Sequence, residues 1–254
     1  MRKKSNIVRS TSLLLLVFSL AVPASGAIAP GHRLLEPSLR LAKKSVDAPE
    51  VALTFDACMG KVDHRILDML VTEKIAATIF VTARWLKRNP DAFAVMKAHP
   101  DLFEIEDHGA NHVPAVEMPI SIYGIRAAGS PEAVAAEVAG GADAIIRSGS
   151  ARPTWFRGAT AKYSAQSMVQ IEAMGFRVAG FSINGDGGAT LGARETQRRF
   201  AAARDGDVII AHINQPDRKA GEGVVAGVRD LKKRGYRFVL LRDQPEQMGK
   251  LATK

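Results

Sequence analysis

Cysteine is almost absent from this chain: among 254 residues, Cys58 stands alone. One thiol excludes an internal disulfide, so an exported protein of this composition depends on its hydrophobic core, and a chain of this length can bury one. An apolar run long enough to cross a membrane is lacking too. Residues 13–22 form a run of ten with one serine, well short of the roughly 20 residues a span requires. No cysteine follows that run directly, which excludes a lipoprotein attachment point. Internal repeats and low-complexity tracts are missing, and nothing resembles a nucleic-acid module, which argues against a nucleic-acid partner. Excess acid is missing as well: 35 Lys and Arg against 26 Asp and Glu give a formal charge of +9. Four of those cations (Arg2, Lys3, Lys4, Arg9) belong to the extreme N-terminus, leaving the remainder nearer +5 (9 − 4). That surplus suits solubility and is compatible with an anionic envelope polymer.

What is present begins with a targeting pattern. The four cations precede the apolar run, and Ala24, Ser25 and Gly26 supply small residues around a cleavage position. This predicts a secretory signal peptide over 1–26, cleaved after Gly26, and a secreted or periplasmic chain with no transmembrane anchor after cleavage. Residues 27–49 read as an extended lead-in, 50–245 as one folded domain and 246–254 as a polar tail.

Within that domain, hydrophobic period and turn signals alternate regularly. Buried-strand runs fall at 51–57, 77–83, 102–108, 154–159, 176–183, 207–212 and 236–243. Amphipathic segments of helical length lie between most of them, at 64–73, 131–146, 165–174, 193–203 and 221–233. Ser130 and Pro131 are placed as N-cap and first helical residue, and Gly175, Gly206 and Gly235 stand where helix C-caps are expected. Residues 113–130, with two prolines and two glycines, read as a long loop. Strands apolar almost throughout and separated by helices imply a parallel sheet covered on both faces, an α/β fold. Periodicity alone leaves an open doubly wound sheet and an incomplete barrel as alternatives.

Polar residues recur where these strands end. Asp56 ends the first, His108 the third, Arg157 the fourth and His212 the sixth, while Asp186 follows the fifth by three residues. In a parallel α/β fold these ends share one face, the face on which active sites are built. His108 and His112 are four apart, a spacing at which both imidazoles can face one divalent ion. His212, at the end of an apolar strand, reads either as a hydrogen-bonded core residue or, facing a metal and a carboxylate, as a proton donor. Arg157 suits either a structural ion pair or the orientation of a carboxylate, with Asp56 the obvious partner. His32, His64 and His99 have no such company and read as surface residues.

This order and spacing resemble the NodB-type polysaccharide deacetylases, also grouped as carbohydrate esterase family 4. Thr54-Phe55-Asp56-Ala57-Cys58 is similar to that family's Thr-Phe-Asp-Asp-Gly, His108 and His112 to its His-x-x-x-His, and Phe156-Arg157 to its Arg-Pro-Pro stretch with Gly158-Ala159 in place of the prolines. Asn184-Gly185-Asp186 loosely resembles its Asp-containing turn, and Ile210-Ala211-His212 its Leu-x-His. The likeness covers about 48–245. It implies a distorted, incomplete (β/α)7 barrel with parallel strands and an active site at their C-terminal ends, the domain at 50–245 being the catalytic one. It also implies hydrolysis of an N-acetyl or O-acetyl group on a cell-wall or chitin-like glycan, with a divalent ion on His108 and His112 and attack by a metal-bound water. Zinc suits those ligands first, with cobalt, nickel or manganese as alternatives. In the implied roles Asp56 is general base, Arg157 orients it, His212 is general acid and Asp186 or Asn184 tunes that histidine, while a backbone N–H near 158–162 helps hold the oxyanion.

One departure stands out. The family's second aspartate, ordinarily the third metal ligand, is replaced here by Ala57. Asp56 itself, the Cys58 thiolate, Asp107 or water are the candidates to fill that place. Strand alternation puts Asp56 and Cys58 on one side, which favours the cysteine. Two other functions remain open on these residues: a catalytically lapsed homologue that only binds glycans, and a hydrolase of another non-peptide C–N bond.

Overall fold

The computed structural model describes residues 33–42 and 48–244, together with the backbone of 252–253. The expected signal peptide and the polar tail, apart from that short stretch, lie outside the described residues. Eight parallel strands form the sheet: β1 (Glu50–Ala57), β2 (Ala77–Val81), β3 (Phe103–Asp107), β4 (Trp155–Phe156), β5 (Arg177–Val178), β6 (Ile183–Asn184), β7 (Asp207–His212) and β8 (Arg237–Phe238). Around them lie α1 (His64–Thr72), α2 (Ala83–Arg88), α3 (Pro90–Ala98), α4 (Pro131–Arg147), α5 (Ala165–Ala173), α6 (Ala193–Ala201) and α7 (Ala220–Lys233). The strand order is β5-β4-β3-β2-β1-β7-β6, with β8 added beside the start of β1. The terminal strands β5 and β6 are consecutive in the chain, yet no ladder joins them among the described residues. The sheet therefore curls without closing, as a distorted, incomplete (β/α)7 barrel.

Alternation along each strand builds two cores. Val51, Leu53, Phe55 and Ala57 of β1 point outward into a cluster with Ile79, Ile209, Leu67 and Val228, under the helices. Ala52 points inward, where Phe80, Trp155 and Val208 meet it. Each such aliphatic or aromatic side chain contributes roughly 1.5–3 kcal/mol by leaving water. The same parity turns Thr54 and Asp56 to the interior, and register then sets Asp56 beside His212 of β7 and Phe80 of β2.

The lead-in runs along the open seam. Leu35 bridges Tyr163, the Pro37 carbonyl accepts from Phe181 N–H, and Leu41 N–H donates to Gly206. Leu39 and Leu41 enter the inner core. Gly180 permits the approach, since a Cβ there would lie 2.3 Å from the Pro37 carbonyl oxygen.

Several expected strands are shorter than the apolar runs that signalled them. The run at 176–183 divides into β5 and β6, because 179–182 crosses the seam and Phe181 pairs with Pro37. The run at 154–159 stops after Phe156 and turns through Thr160 and Ala161, whose φ values are 70° and 51°. That at 236–243 ends in a helical turn at Leu241–Asp243. Helices α2 and α3 belong to the 83–98 stretch, where Thr82 caps α2 and Pro90 opens α3. The expected cap of α4 is present, with Ser130 Oγ accepting from Ala133 N–H at 3.2 Å.

Candidate active site

Asp56 and Arg157 meet inside the barrel. Arg157 is fully buried and donates to Asp56 Oδ1 at 3.0 Å, to Thr54 Oγ1 at 2.9 Å and to the Gly180 carbonyl at 3.0 Å, with the Phe80 ring 4.3 Å from its guanidinium carbon. A buried ion pair of this kind is tolerable because both partners are hydrogen-bonded. Burial pushes the Asp56 carboxyl up, but His108, Arg157 and His212 together outweigh it and hold it below its ordinary value. Oδ1 is occupied by Arg157; Oδ2 lies 3.9 Å from His108 Nε2.

Beside Asp56, Cys58, His108 and His112 form a cluster whose donor atoms all lie within 4.8 Å of one another. His108 Nδ1–H donates to the Arg157 carbonyl, which fixes the tautomer and leaves Nε2 facing Cys58 Sγ at 3.4 Å. His112 adopts φ 62°, and its Nδ1 is buried without a hydrogen-bond partner. A thiolate and two imidazoles, one of them with an orphaned ring nitrogen, fit a zinc-like ion. Burial raises the thiol's pKa, yet the charge of His108 and bonds to His108, His112 and His212 carry it well below the usual value. Burial likewise opposes charge on His108, but Asp56 and Cys58 raise it to about 9.

The loops that present these ligands are themselves held. Thr82 Oγ1 caps α2 and donates to the Cys58 carbonyl, while Arg88 donates to the Met59 carbonyl at 3.0 Å. On the other side, Glu137 of α4 is buried and accepts from Asn111 N–H at 2.9 Å and Val113 N–H at 3.0 Å, bracketing His112. Asp107, a candidate third ligand in the sequence, faces the other way, because strand parity turns it toward α4. Its Oδ1 accepts from Gly109 N–H at 2.7 Å, and a Cβ on Gly141 would stand 2.0 Å from that oxygen.

Asp186 secures His212 twice: Oδ2 accepts from the His212 backbone N–H at 2.7 Å and Oδ1 pairs with Nδ1 at 3.0 Å. Burial disfavours the imidazolium, but Asp186 and Cys58 outweigh it and hold the pKa well above the ordinary value. Asn184 does not share this task; its Oδ1 accepts from Gly187 N–H at 2.8 Å. The structure thus brings together Asp56, Cys58, His108, His112, Arg157, Asp186 and His212; Asn184 lines the same cavity but bonds Gly187 and not His212, and Asp107 is turned away.

Asp56, Cys58, His108, His112 and His212 line a cavity of about 630 Å³. Its lining adds Glu36, Tyr123, Thr160 and Asn214, none of which sequence reasoning had singled out. Asn214, two residues beyond His212, and Thr160 keep buried polar side-chain atoms without partners. Parity with His212 was a legible signal for Asn214; none existed for Glu36 or Tyr123.

An incomplete (β/α) barrel carrying a carboxylate, a carboxylate-held histidine and a Cys–His–His cluster on its C-terminal rim is the framework of a hydrolytic α/β enzyme. The model of the polysaccharide deacetylase family matches residues 43–179, more than half of the chain, and the chain belongs to that family of hydrolases. Among solved structures it is similar to a family 4 carbohydrate esterase of Streptomyces lividans in complex with acetate (17% identity, TM-score 0.62, covering 76% of this chain and 93% of that one). It is similar also to a peptidoglycan deacetylase of Bacillus subtilis (20%, 0.61, 78% and 90%) and to a family 4 pseudoenzyme of Bacillus anthracis (17%, 0.60, 78% and 66%). At these identities the likeness speaks for the fold. No curated protein matches the chain.

Proposed function

We propose that the chain is a metal-dependent deacetylase that removes acetyl groups from an N-acetylated glycan outside the cytoplasm. The observation that carries this reading is the meeting of Cys58, His108 and His112 within 4.8 Å, next to an arginine-held Asp56 and an aspartate-held His212. A divalent ion bound by Cys58, His108 and His112 would supply a Lewis acid for the acyl carbonyl. Asp56 Oδ2, free of Arg157, accepts the proton of the attacking water, and Arg157 keeps that carboxylate turned to the cavity. His212, its Nδ1 fixed by Asp186, presents Nε2 to hand a proton to the departing nitrogen. The N-terminal targeting pattern supports the location.

Acetate release from N-acetylated oligosaccharides, measured with the metal content of the purified protein, tests this. The wild type is expected to hold one divalent ion and release acetate, and His108→Ala and His212→Ala to lose release. No bound ion and no acetate would overturn the reading in favour of a lapsed glycan-binding protein. Ala57 and the likeness to a pseudoenzyme support that second reading; a mutant of that Bacillus anthracis protein is described as having restored activity.

A further inference from the structure

The N-terminal end of the barrel carries a second hollow, of about 370 Å³, which shares no lining residue with the active-site cavity. It lies where β3 begins and just ahead of β4, away from the rim that holds His108 and His212. Its lining includes Lys97, Glu104, Glu106, Arg152, Thr154 and Arg242. Glu104 and Glu106 are 3% and 4% exposed, whereas Lys97, Arg152 and Arg242 are open to solvent. The hollow therefore has acids at its floor and bases at its mouth.

Most of these charges lack a partner. Thr78 Oγ1 donates to Glu104 Oε2 at 2.7 Å and itself accepts from Leu241 N–H at 3.2 Å, which fixes the carboxyl group in place. The other oxygen, Glu104 Oε1, is buried with no hydrogen-bond partner. Glu106 accepts from the Thr154 and Trp155 backbone N–H groups, and neither acid meets a cationic side chain among the described residues. At the mouth, Lys97 Nζ bonds the Ser148 carbonyl at 2.8 Å and stands 5.1 Å from the Phe93 ring centroid, and Arg152 lies 5.8 Å over Phe176. Arg242 donates to the Pro100 carbonyl at 2.6 Å and has a looser contact with exposed Asp243 at 3.8 Å. Carbonyls and rings thus place these cations without neutralising Lys97 or Arg152.

A buried carboxylate oxygen without a donor is costly, and a bound donor removes that cost. A lone metal ion would satisfy the floor and be repelled by the mouth; a lone anion would do the reverse. A molecule with a positive and a negative end meets both. An ammonium brings three donors to the floor, and a carboxylate suits the guanidinium groups at the mouth. The volume falls within the roughly 300–1,000 Å³ of small-molecule sites. We infer that this hollow binds a small dipolar molecule of the amino-acid class, with its ammonium on Glu104 and Glu106 and its carboxylate on Lys97, Arg152 and Arg242. The site stands independently of the deacetylase reading, since it uses none of the residues of the rim.

Titration calorimetry of the purified chain with glycine, 4-aminobutyrate and 6-aminohexanoate tests this, with butylamine and butyrate as one-ended controls. At least one of the three amino acids is expected to bind with Kd of about 1 mM or tighter, and each control about tenfold more weakly or worse. Glu104→Gln, which keeps the shape and removes the charge, and Arg152→Met should each weaken that binding about tenfold. His108→Ala, which disables the rim, should leave it unchanged and so exclude capture of the carboxylate by a metal there. Arg152 is exposed, so Arg152→Met keeps the test decisive even where Glu104→Gln does not fold. No saturable binding of any of the three amino acids overturns the site. So does butylamine or butyrate binding as tightly as the best of them, or binding that Arg152→Met leaves unaltered.

Discussion

Two levels of the barrel interior treat carboxylates in opposite ways. At the rim, Asp56 faces Arg157 and Asp186 faces His212, and each acid has a cationic partner within 3.0 Å. Lower on the inner face, Glu104 and Glu106 of β3 are buried with no cation paired to either among the described residues. Glu106 accepts from the Thr154 and Trp155 backbone N–H groups at 2.8 and 2.7 Å, while Glu104 takes a bond from Thr78 Oγ1 at 2.7 Å and keeps Oε1 unpartnered. Burial, then the charge of Glu104, pushes Glu106 up to about 8. Positions 104, 106 and 108 follow one inward parity, yet the acids below bond only backbone and hydroxyl groups while those above face cationic side chains. Partner choice, not depth, makes the difference.

The sharpest way to break this contrast is to make the rim resemble the lower level. Arg157→Met strands Asp56 without its cation; breaking such a buried pair costs about 3–5 kcal/mol, read from urea denaturation, and acetate release should vanish. A loss within experimental error of zero would mean the pair is not the rim's anchor. Next, His212→Ala removes the proton donor and should lower kcat roughly 10²–10⁴-fold, while Asp186→Asn should lower it less and shift its pH profile. An unchanged profile in Asp186→Asn would remove Asp186 from that role. Glu137→Ala frees the segment that carries His112, and chelator competition should show metal affinity falling by about 10–100-fold.

The smallest effect concerns the lower level. A carboxyl whose folded pKa is raised contributes stability that is fully present below the unfolded value of 4.5 and is lost as pH rises through about 8. Thermal stability of the wild type should therefore decline across that window, and Glu106→Gln should flatten the decline. A slope identical in both proteins would show that Glu106 ionises freely.

Strand parity explains what the sequence disclosed about this site. Asp56, His108 and His212 could be placed because each closes an apolar run and an inward-facing position repeats every second residue. The same parity turns Asp107 away from His108's side, a signal that the choice of Asp107 as a candidate ligand overlooked. Closure of the barrel was less legible, since Leu35 and Pro37 act by pairing with residues far along the chain. Glu137 sits on the buried stripe of α4 with Val134, Val138 and Gly141, and a lone carboxylate on such a stripe was an available but unread signal. Tyr123 gave none, because it opens the two-residue turn between the paired Ser121–Ile122 and Ile125–Arg126, and tyrosine in that position contradicts ordinary turn chemistry.

On the proposed reading, Cys58 replaces the carboxylate absent at position 57 as the third protein ligand. Cobalt(II) titration of the purified protein, followed by absorption spectroscopy, tests it most directly. One equivalent is expected to bind with a sulfur-to-cobalt charge-transfer band that disappears in Cys58→Ala, together with a drop in affinity. Equally tight binding without that band in the wild type, or an unaltered spectrum in Cys58→Ala, would contradict it.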